Sequence, residues 1–287
     1  MDGPRRAPAV FVGHGNPMNA LSTNRFTEAW AAVGRDSPRP RAILVISAHW
    51  YINATAVTAI AQPRTIHDFY GFPDDLFAVE YPAPGSPELA DEVAEVVAPT
   101  WVGVDTDSWG LDHGTWSVLV HMFPEADVPV VQLSIDAAKP LEYHLELGAR
   151  LDALRDRGVM LLGSGNVVHH LGMIDWGRPE GGYDWAHRFD DEARMLMTHD
   201  PGEAVRLAEH PDWSLAAPTP EHFLPLLYIA GTAAASGSTA STIVDGCVMG
   251  SLSMISYGVD VPTAAPHDDA GPAAVLPHEP PPDATNA

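Results

Sequence analysis

The chain predicts an α/β fold: a single domain whose central sheet, largely parallel or mixed, is flanked by helices. Two observations carry this expectation. Short runs rich in β-branched and aliphatic residues recur along the sequence, and segments with helical apolar spacing separate them. A third bounds it, since 287 residues with 46% hydrophobic content suffice to bury one large core. Strands that alternate with helices pack as a largely parallel sheet covered on its faces.

Ala9–Val12 is the first run and ends at Gly13; Ala42–Ser47 is the second. Both are uninterrupted and short, as expected of strands buried on both faces. Glu88–Val97 gives the first clear helical period, and Val128–Ile135 the third strand. Leu141, Leu145, Leu151 and Leu154 share one face of Leu141–Arg157, which predicts a helix there. Val159–Leu162 reads as a strand and Trp185–His199 as a helix. In Pro218-Thr219-Pro220-Glu221-His222, Thr219 suits an N-cap and Pro220 the first helical position. A helix starting there carries His222 in its first turn, and Pro225 disturbs it soon after. No internal repeat is evident. Residues 1–7 are expected to form a flexible N-terminus and 8–260 the folded domain. The segment 261–287 is expected to be a disordered acidic tail rich in Pro and Ala, with His267 and His278 idle.

The formal net charge is −23, and Lys139 is the single lysine. Such a surface repels phosphate backbones and anionic lipid, which argues against nucleic acid or a membrane as partner. The acidic excess fits either adaptation to high salt or a GC-rich genome. No apolar stretch reaches the ~20 residues of a membrane helix, and the N-terminus lacks the pattern of a signal peptide. The single cysteine, Cys247, cannot pair within the chain or build a thiolate metal site alone. These features together predict a soluble cytoplasmic protein.

The chemistry lies in the histidines. Gly13-His14-Gly15 follows the first strand, Ala48-His49-Trp50 the second, and Asn166-Val167-Val168-His169-His170 the strand Val159–Leu162. Ligands of open α/β sheets sit outside the carboxyl ends of the strands, where all three groups fall. Converging imidazoles suit a catalytic metal; the alternative is a set of core and surface histidines. Gly163-Ser164-Gly165 is not the Gly-x-Ser-x-Gly elbow of a serine hydrolase, and neither a Walker loop nor a dinucleotide fingerprint occurs.

Seven words appear in order: Gly13-His14-Gly15-Asn16-Pro17-Met18, Ser47-Ala48-His49-Trp50, Thr65-Ile66-His67-Asp68-Phe69-Tyr70-Gly71-Phe72-Pro73, Tyr81-Pro82-Ala83-Pro84-Gly85-Ser86-Pro87, Trp109-Gly110-Leu111-Asp112-His113-Gly114-Thr115-Trp116, Gly165-Asn166-Val167-Val168-His169 and Thr219-Pro220-Glu221-His222. In these words the sequence resembles the class III extradiol ring-cleaving dioxygenases of the 4,5-DOPA dioxygenase branch, from Pro8 to Tyr257. The resemblance implies a mononuclear non-haem Fe²⁺ enzyme that opens a catechol ring with O₂ to a semialdehyde, with the metal at the carboxyl ends of the strands. Zn²⁺ can occupy such a site on purification. By the matching words, His14, His49 and His222 are the metal ligands, a departure from the 2-His-1-carboxylate triad. Glu221, adjacent to His222, is the alternative carboxylate ligand. His169 resembles the acid/base of the wider class, or a fourth ligand when zinc is bound. His113 is the second pocket histidine, suited to hydrogen-bond O₂ or a substrate oxygen.

His67, Asp68, Trp50 and Trp116 are candidates for lining the substrate pocket, each with packing or loop ordering as the alternative. Ser134 and Asp136 follow another strand and can support the site; Arg64 is a candidate partner for a substrate carboxylate. His121, His144, His170, His187, His199 and His210 are expected in structural, surface or helix positions. Two other readings compete: a metal-binding protein of this fold without oxygenase activity, and a zinc hydrolase using Glu221 as base.

Overall fold

The structure is a computed structural model that describes residues 6–262 and residue 274. The strands are β1 (Ala9–Gly13), β2 (Ala42–Ile52), β3 (Ala56–Thr58), β4 (Gly103–Asp105), β5 (Val130–Asp136), β6 (Val159–Gly165), β7 (Ser241–Val244), β8 (Cys247–Val248), β9 (Leu252–Ser253) and β10 (Ser256–Val259). The helices are α1 (Arg25–Asp36), α2 (Asp74–Phe77), α3 (Pro87–Val96), α4 (His113–Met122), α5 (Leu141–Leu151), α6 (Ala153–Asp156), α7 (Asp184–His199), α8 (Trp213–Ala216) and α9 (Leu224–Ala235). The main sheet runs β4-β3-β5-β2-β6-β1-β10-β7. Its centre, β5-β2-β6-β1, is parallel, whereas β3–β5, β1–β10 and β10–β7 are antiparallel, so the sheet is mixed. Residues 1–5, most of the expected flexible N-terminus, lie outside the described residues, as does all of the expected tail beyond Pro262 except Ala274. Within that N-terminal segment Arg6 pairs with Asp152 and Asp156, and the Ala7 amide donates to Arg155.

Alternation along β1 and β6 divides the core. Phe11 and Leu161 face one side with α5, α7 and α9, while Val10, Val12, Met160 and Leu162 face the other with α1 and α4. Both faces of each central strand are therefore buried, the reason these runs read as continuously apolar.

The differences from the sequence-based expectation lie at element ends. Leu141–Arg157 is two helices, α5 and α6, with Asp152 between them accepting from Arg6 and Arg155. Thr219 caps no helix: its hydroxyl donates to Glu221, residues 221–223 form a turn, and α9 starts at Leu224. Pro225 therefore opens the helix in its first turn, where a missing N–H costs nothing, instead of interrupting it. His222 precedes the helix.

β2 carries the distortion that matters most. Ile46 pairs with Leu133 and Tyr51 already pairs with Ile135, so the residues between bulge out of the ladder with β5. Such a bulge re-aims a side chain. His49 sits in it, inside the strand and not beyond its end.

Behind the site, Asp190 of α7 is buried and accepts from the Ser253 hydroxyl at 2.7 and 2.9 Å and from the Cys247 thiol at 3.4 Å. Ser253 in turn donates its amide to Val168 and accepts from the Asn166 side chain at 2.7 Å. Asp190 thus anchors the β8–β9 hairpin against the loop leading to His169. Burial pushes its pKa up to about 7 from an ordinary 3.8, against the pull of the two donors. A carboxyl raised in the folded state costs stability progressively above its unfolded pKa, and fully above its folded one. Thermal unfolding should therefore show stability falling by about 2 kcal/mol between about pH 5 and about pH 7. Asp190→Asn should flatten that part of the profile, and an unchanged slope would show that Asp190 is not its source.

Candidate metal centre

Five imidazoles meet above the carboxyl ends of the central strands. His14 follows β1, with its amide bonded to the Gly165 carbonyl of β6. His49 comes from the β2 bulge, His113 opens α4, His169 follows β6, and His222 lies just before α9. Ring centroids are 5.2 Å apart for His14 and His49, 5.5 Å for His14 and His222, and 5.2 Å for His49 and His222. His113 lies 3.8 Å from His49, and His169 stacks on His222 at 3.5 Å, nearly parallel at 5°.

Two glycines permit this approach. A Cβ on Gly114 would fall 2.6 Å from Ser47 Oγ and 2.7 Å from the His49 ring; one on Gly165 would fall 2.2 Å from the His222 carbonyl oxygen. Each residue with a side chain here would displace a histidine.

The outer nitrogens fix the protons. The Ser164 hydroxyl donates its one proton to the Gly114 carbonyl at 2.5 Å, because a carbonyl can only accept. Ser164 Oγ, 3.0 Å from His14 Nδ1, is then the acceptor of that contact, so His14 carries its proton on Nδ1 and leaves Nε2 bare. Glu221 Oε1 faces His222 Nδ1 at 3.2 Å, and Asp68 Oδ2 faces His49 Nδ1 at 3.5 Å. A carboxylate opposite Nδ1 favours the same tautomer in both rings.

The inner nitrogens of His14 and His49 are therefore lone pairs that face one another; one ligand atom from each of His14, His49 and His113 lies within 4.8 Å of the others, and the same holds for His169, Glu221 and His222. His14 Nε2 and His49 Nε2 are 3.3 Å apart, and His222 Nε2 is buried with no hydrogen-bond partner among the described residues. Lone pairs held this close repel unless a cation lies between them. The separation also matches the edge formed by two imidazoles on one metal with bonds of about 2.0–2.1 Å. Burial first, and the neighbouring imidazoles second, hold the pKa of His14 and of His222 well below the ordinary value. His49 is lowered in the same way, with Asp68 opposing the shift. All three are neutral near pH 7, the state in which imidazole binds a metal. The donor set fits a divalent transition metal.

A second layer holds the arrangement. Buried Asp112 caps α4 and accepts from the Ser47 hydroxyl at 2.7 Å, the Gln132 side chain at 2.7 Å, the Thr115 amide at 3.0 Å and Trp109 Nε1 at 3.4 Å. Asp68 Oδ1 accepts from the His113 amide at 2.9 Å and lies 3.0 Å from His113 Nδ1, out of line for a hydrogen bond with that ring. Burial raises the Asp68 carboxyl, but the facing imidazoles of His113 and His49 outweigh it and hold it well below the usual range.

The other predicted residues take less central places. Trp50 is nearly buried and stacks on Trp109 at 5.7 Å. Trp116 is fully buried and donates to the Ile66 carbonyl, a packing position. His67 donates to the Val79 carbonyl among Phe69, Phe77 and Trp116. Ser134 bonds Ala54 and Ala56, and the Arg64 guanidinium donates to the Ser108 carbonyl. Glu221 also accepts from Thr219, so its carboxylate lies on the outer side of His222. His144 is buried on α5 against Tyr228, while His121 and His170 bond backbone carbonyls. Ser164, Asp112 and Gly114 were not foreseen as site residues. The available signal for Ser164 was its place at the end of a strand adjacent to the one that delivers His14.

The sequence from residue 8 to 259 matches the family described as the catalytic LigB subunit of aromatic ring-opening dioxygenase. The chain is 50% identical over 259 residues to a 4,5-DOPA dioxygenase extradiol of Escherichia coli strain K12, covering 88% of this chain and 95% of that protein. It is 40% identical over 261 residues to the protein of that name from Beta vulgaris, covering 86% and 94%. A crystal structure of an uncharacterized protein from Escherichia coli K12 superposes with a TM-score of 0.78 at 44% identity, over 88% of this chain and all of that one. With its histidine cluster at the strand ends of a mixed α/β sheet, the chain belongs to the LigB family of aromatic ring-opening dioxygenases.

Proposed function

We propose that this enzyme cleaves a catechol ring beside its two hydroxyls with O₂, giving a ring-opened semialdehyde, at a mononuclear non-haem metal held by His14, His49 and His222. Fe²⁺ is the working metal, and Zn²⁺ competes for the same nitrogens. The observation that supports this most directly is the facing Nε2 atoms of His14 and His49, 3.3 Å apart, with the His222 ring 5.5 and 5.2 Å from theirs and the outer nitrogens of all three rings facing a hydroxyl or a carboxylate. The metal supplies charge that lowers the pKa of the catechol hydroxyls and a path for electrons between ring and O₂.

The chain supplies proton handling and position. His169, stacked on His222, is placed to take a proton from a hydroxyl of the bound ring and return it later. His113 Nε2, buried with no partner among the described residues, is the group we assign to hydrogen-bond O₂ or a substrate oxygen. Held by Asp68 and the start of α4, His113 has little freedom to leave. Glu221 is occupied with His222 and Thr219, which counts against its use as the base of a hydrolase.

The test is oxygen uptake. Protein purified anaerobically and loaded with Fe²⁺ should consume O₂ with DOPA, caffeate or protocatechuate and give a yellow product, while the Zn²⁺ form should not. Tight metal binding without O₂ uptake on any catechol would favour the non-oxygenase readings.

A further inference from the structure

We propose that Asp68 is a positioning residue that sets the proton of His49 and couples that ligand to His113. The inference rests on the metal-centre reading above. One carboxylate reaches both histidines: Oδ2 faces His49 Nδ1 at 3.5 Å, a charge contact longer than a good hydrogen bond, while Oδ1 accepts the His113 amide at 2.9 Å and lies 3.0 Å from His113 Nδ1. The two rings it joins are themselves in contact, with centroids 3.8 Å apart.

The electrostatics give Asp68 a task that packing alone does not require. An imidazole nitrogen facing a carboxylate oxygen is stable there only when it bears the proton, since two lone pairs repel. His49 then has a bare Nε2, directed at His14 Nε2. His14 and His222 owe the same tautomer to Ser164 and Glu221, so Asp68 completes the set. It differs from those two in also holding the backbone of a pocket histidine. A proposed ligand to the metal and a pocket histidine are thereby tied to one side chain from the loop before α2.

Asp68→Asn separates this role from simple loop ordering. The amide keeps an oxygen for the His113 N–H and turns its NH₂ toward His49 Nδ1. That donor calls for an acceptor, so His49 moves its proton to Nε2 and loses the lone pair that binds metal. Partners of this kind typically contribute 10- to 100-fold to metal affinity. Full-length Asp68→Asn should therefore bind Zn²⁺, measured by chelator competition without catechol or O₂, roughly 10- to 100-fold more weakly than the parent. The metal-free variant should remain folded, with a lower unfolding temperature because the native state favours the Asp68 carboxylate. ¹⁵N spectra of the imidazoles should show the His49 tautomer reversed.

Asp68→Glu, which keeps the charge, should recover part of the affinity. Parental zinc affinity and an unchanged His49 tautomer in Asp68→Asn would overturn the proposal, leaving Asp68 as a loop anchor. Because the measurement uses zinc alone, it can succeed even if no catechol supports O₂ uptake, so the two readings fail separately.

Discussion

His14→Ala should abolish metal-dependent stabilisation and lower ring cleavage by roughly 10³-fold or more, the equivalent of about 4 kcal/mol at the transition state. In the proposed centre His14 is a ligand, and its Nε2 faces that of His49 at 3.3 Å. The parent at a free metal concentration of about 1,000 times its Kd gains about 4 kcal/mol in stability. The variant should gain almost none of it. Paired thermal melts with and without Zn²⁺, followed by O₂ uptake after Fe²⁺ loading, measure both effects. A variant that retains the metal-dependent shift would show that His14 is not a ligand. The fold itself should survive, because the strand β1 and its pairing with β6 do not depend on the imidazole.

Gly165→Ala should destabilise the protein by about 3 kcal/mol or more, since forced overpacking against a rigid neighbour is at the upper end of such costs. Its Cβ would fall 2.2 Å from the His222 carbonyl oxygen, an atom of the main chain that no rotamer change can move. The same peptide neighbourhood links two of the proposed metal ligands: the His14 amide bonds Gly165, and the Asn166 amide bonds His222 at 2.8 Å. Any relaxation must spread these two segments. Denaturant unfolding should show the loss, and activity should fall with it. Gly202→Ala, whose nearest neighbours are 3.6 Å away, is the control and should stay close to the parent. A benign Gly165→Ala would mean that the contact between β6 and the segment before α9 is loose.

The parts legible in the sequence were those governed by local pattern. Runs such as Val159–Leu162 declared themselves because both faces of the strand are buried, and His14 and His169 were placed by following such runs. The contribution of His49 depended on a bulge that exists only relative to β5, so its position inside β2 was not readable from β2 alone. The start of α9 lies beyond the sequence expectation because Pro220 and Pro225 both suit a first turn, and the choice is made by Glu221 bonding to Thr219 and His222. The strands β8 and β9 have only two residues each, too few to show a period. Ser164 looked like a failed nucleophile motif. Its role needs the Gly114 carbonyl, fifty residues away, to be known.

That hydroxyl has a consequence for the bookkeeping of metal uptake. Because a main-chain carbonyl consumes the Ser164 proton, the tautomer of His14 is written into the backbone and does not await the metal. With His14, His49 and His222 all held neutral by burial, none of the three has a proton to surrender near pH 7. A thiolate centre sheds protons as it fills. If these three rings hold the metal as proposed, its loading should release no protons from them, so its heat should be insensitive to the ionisation enthalpy of the buffer and its affinity flat with pH until acid reaches the buried rings.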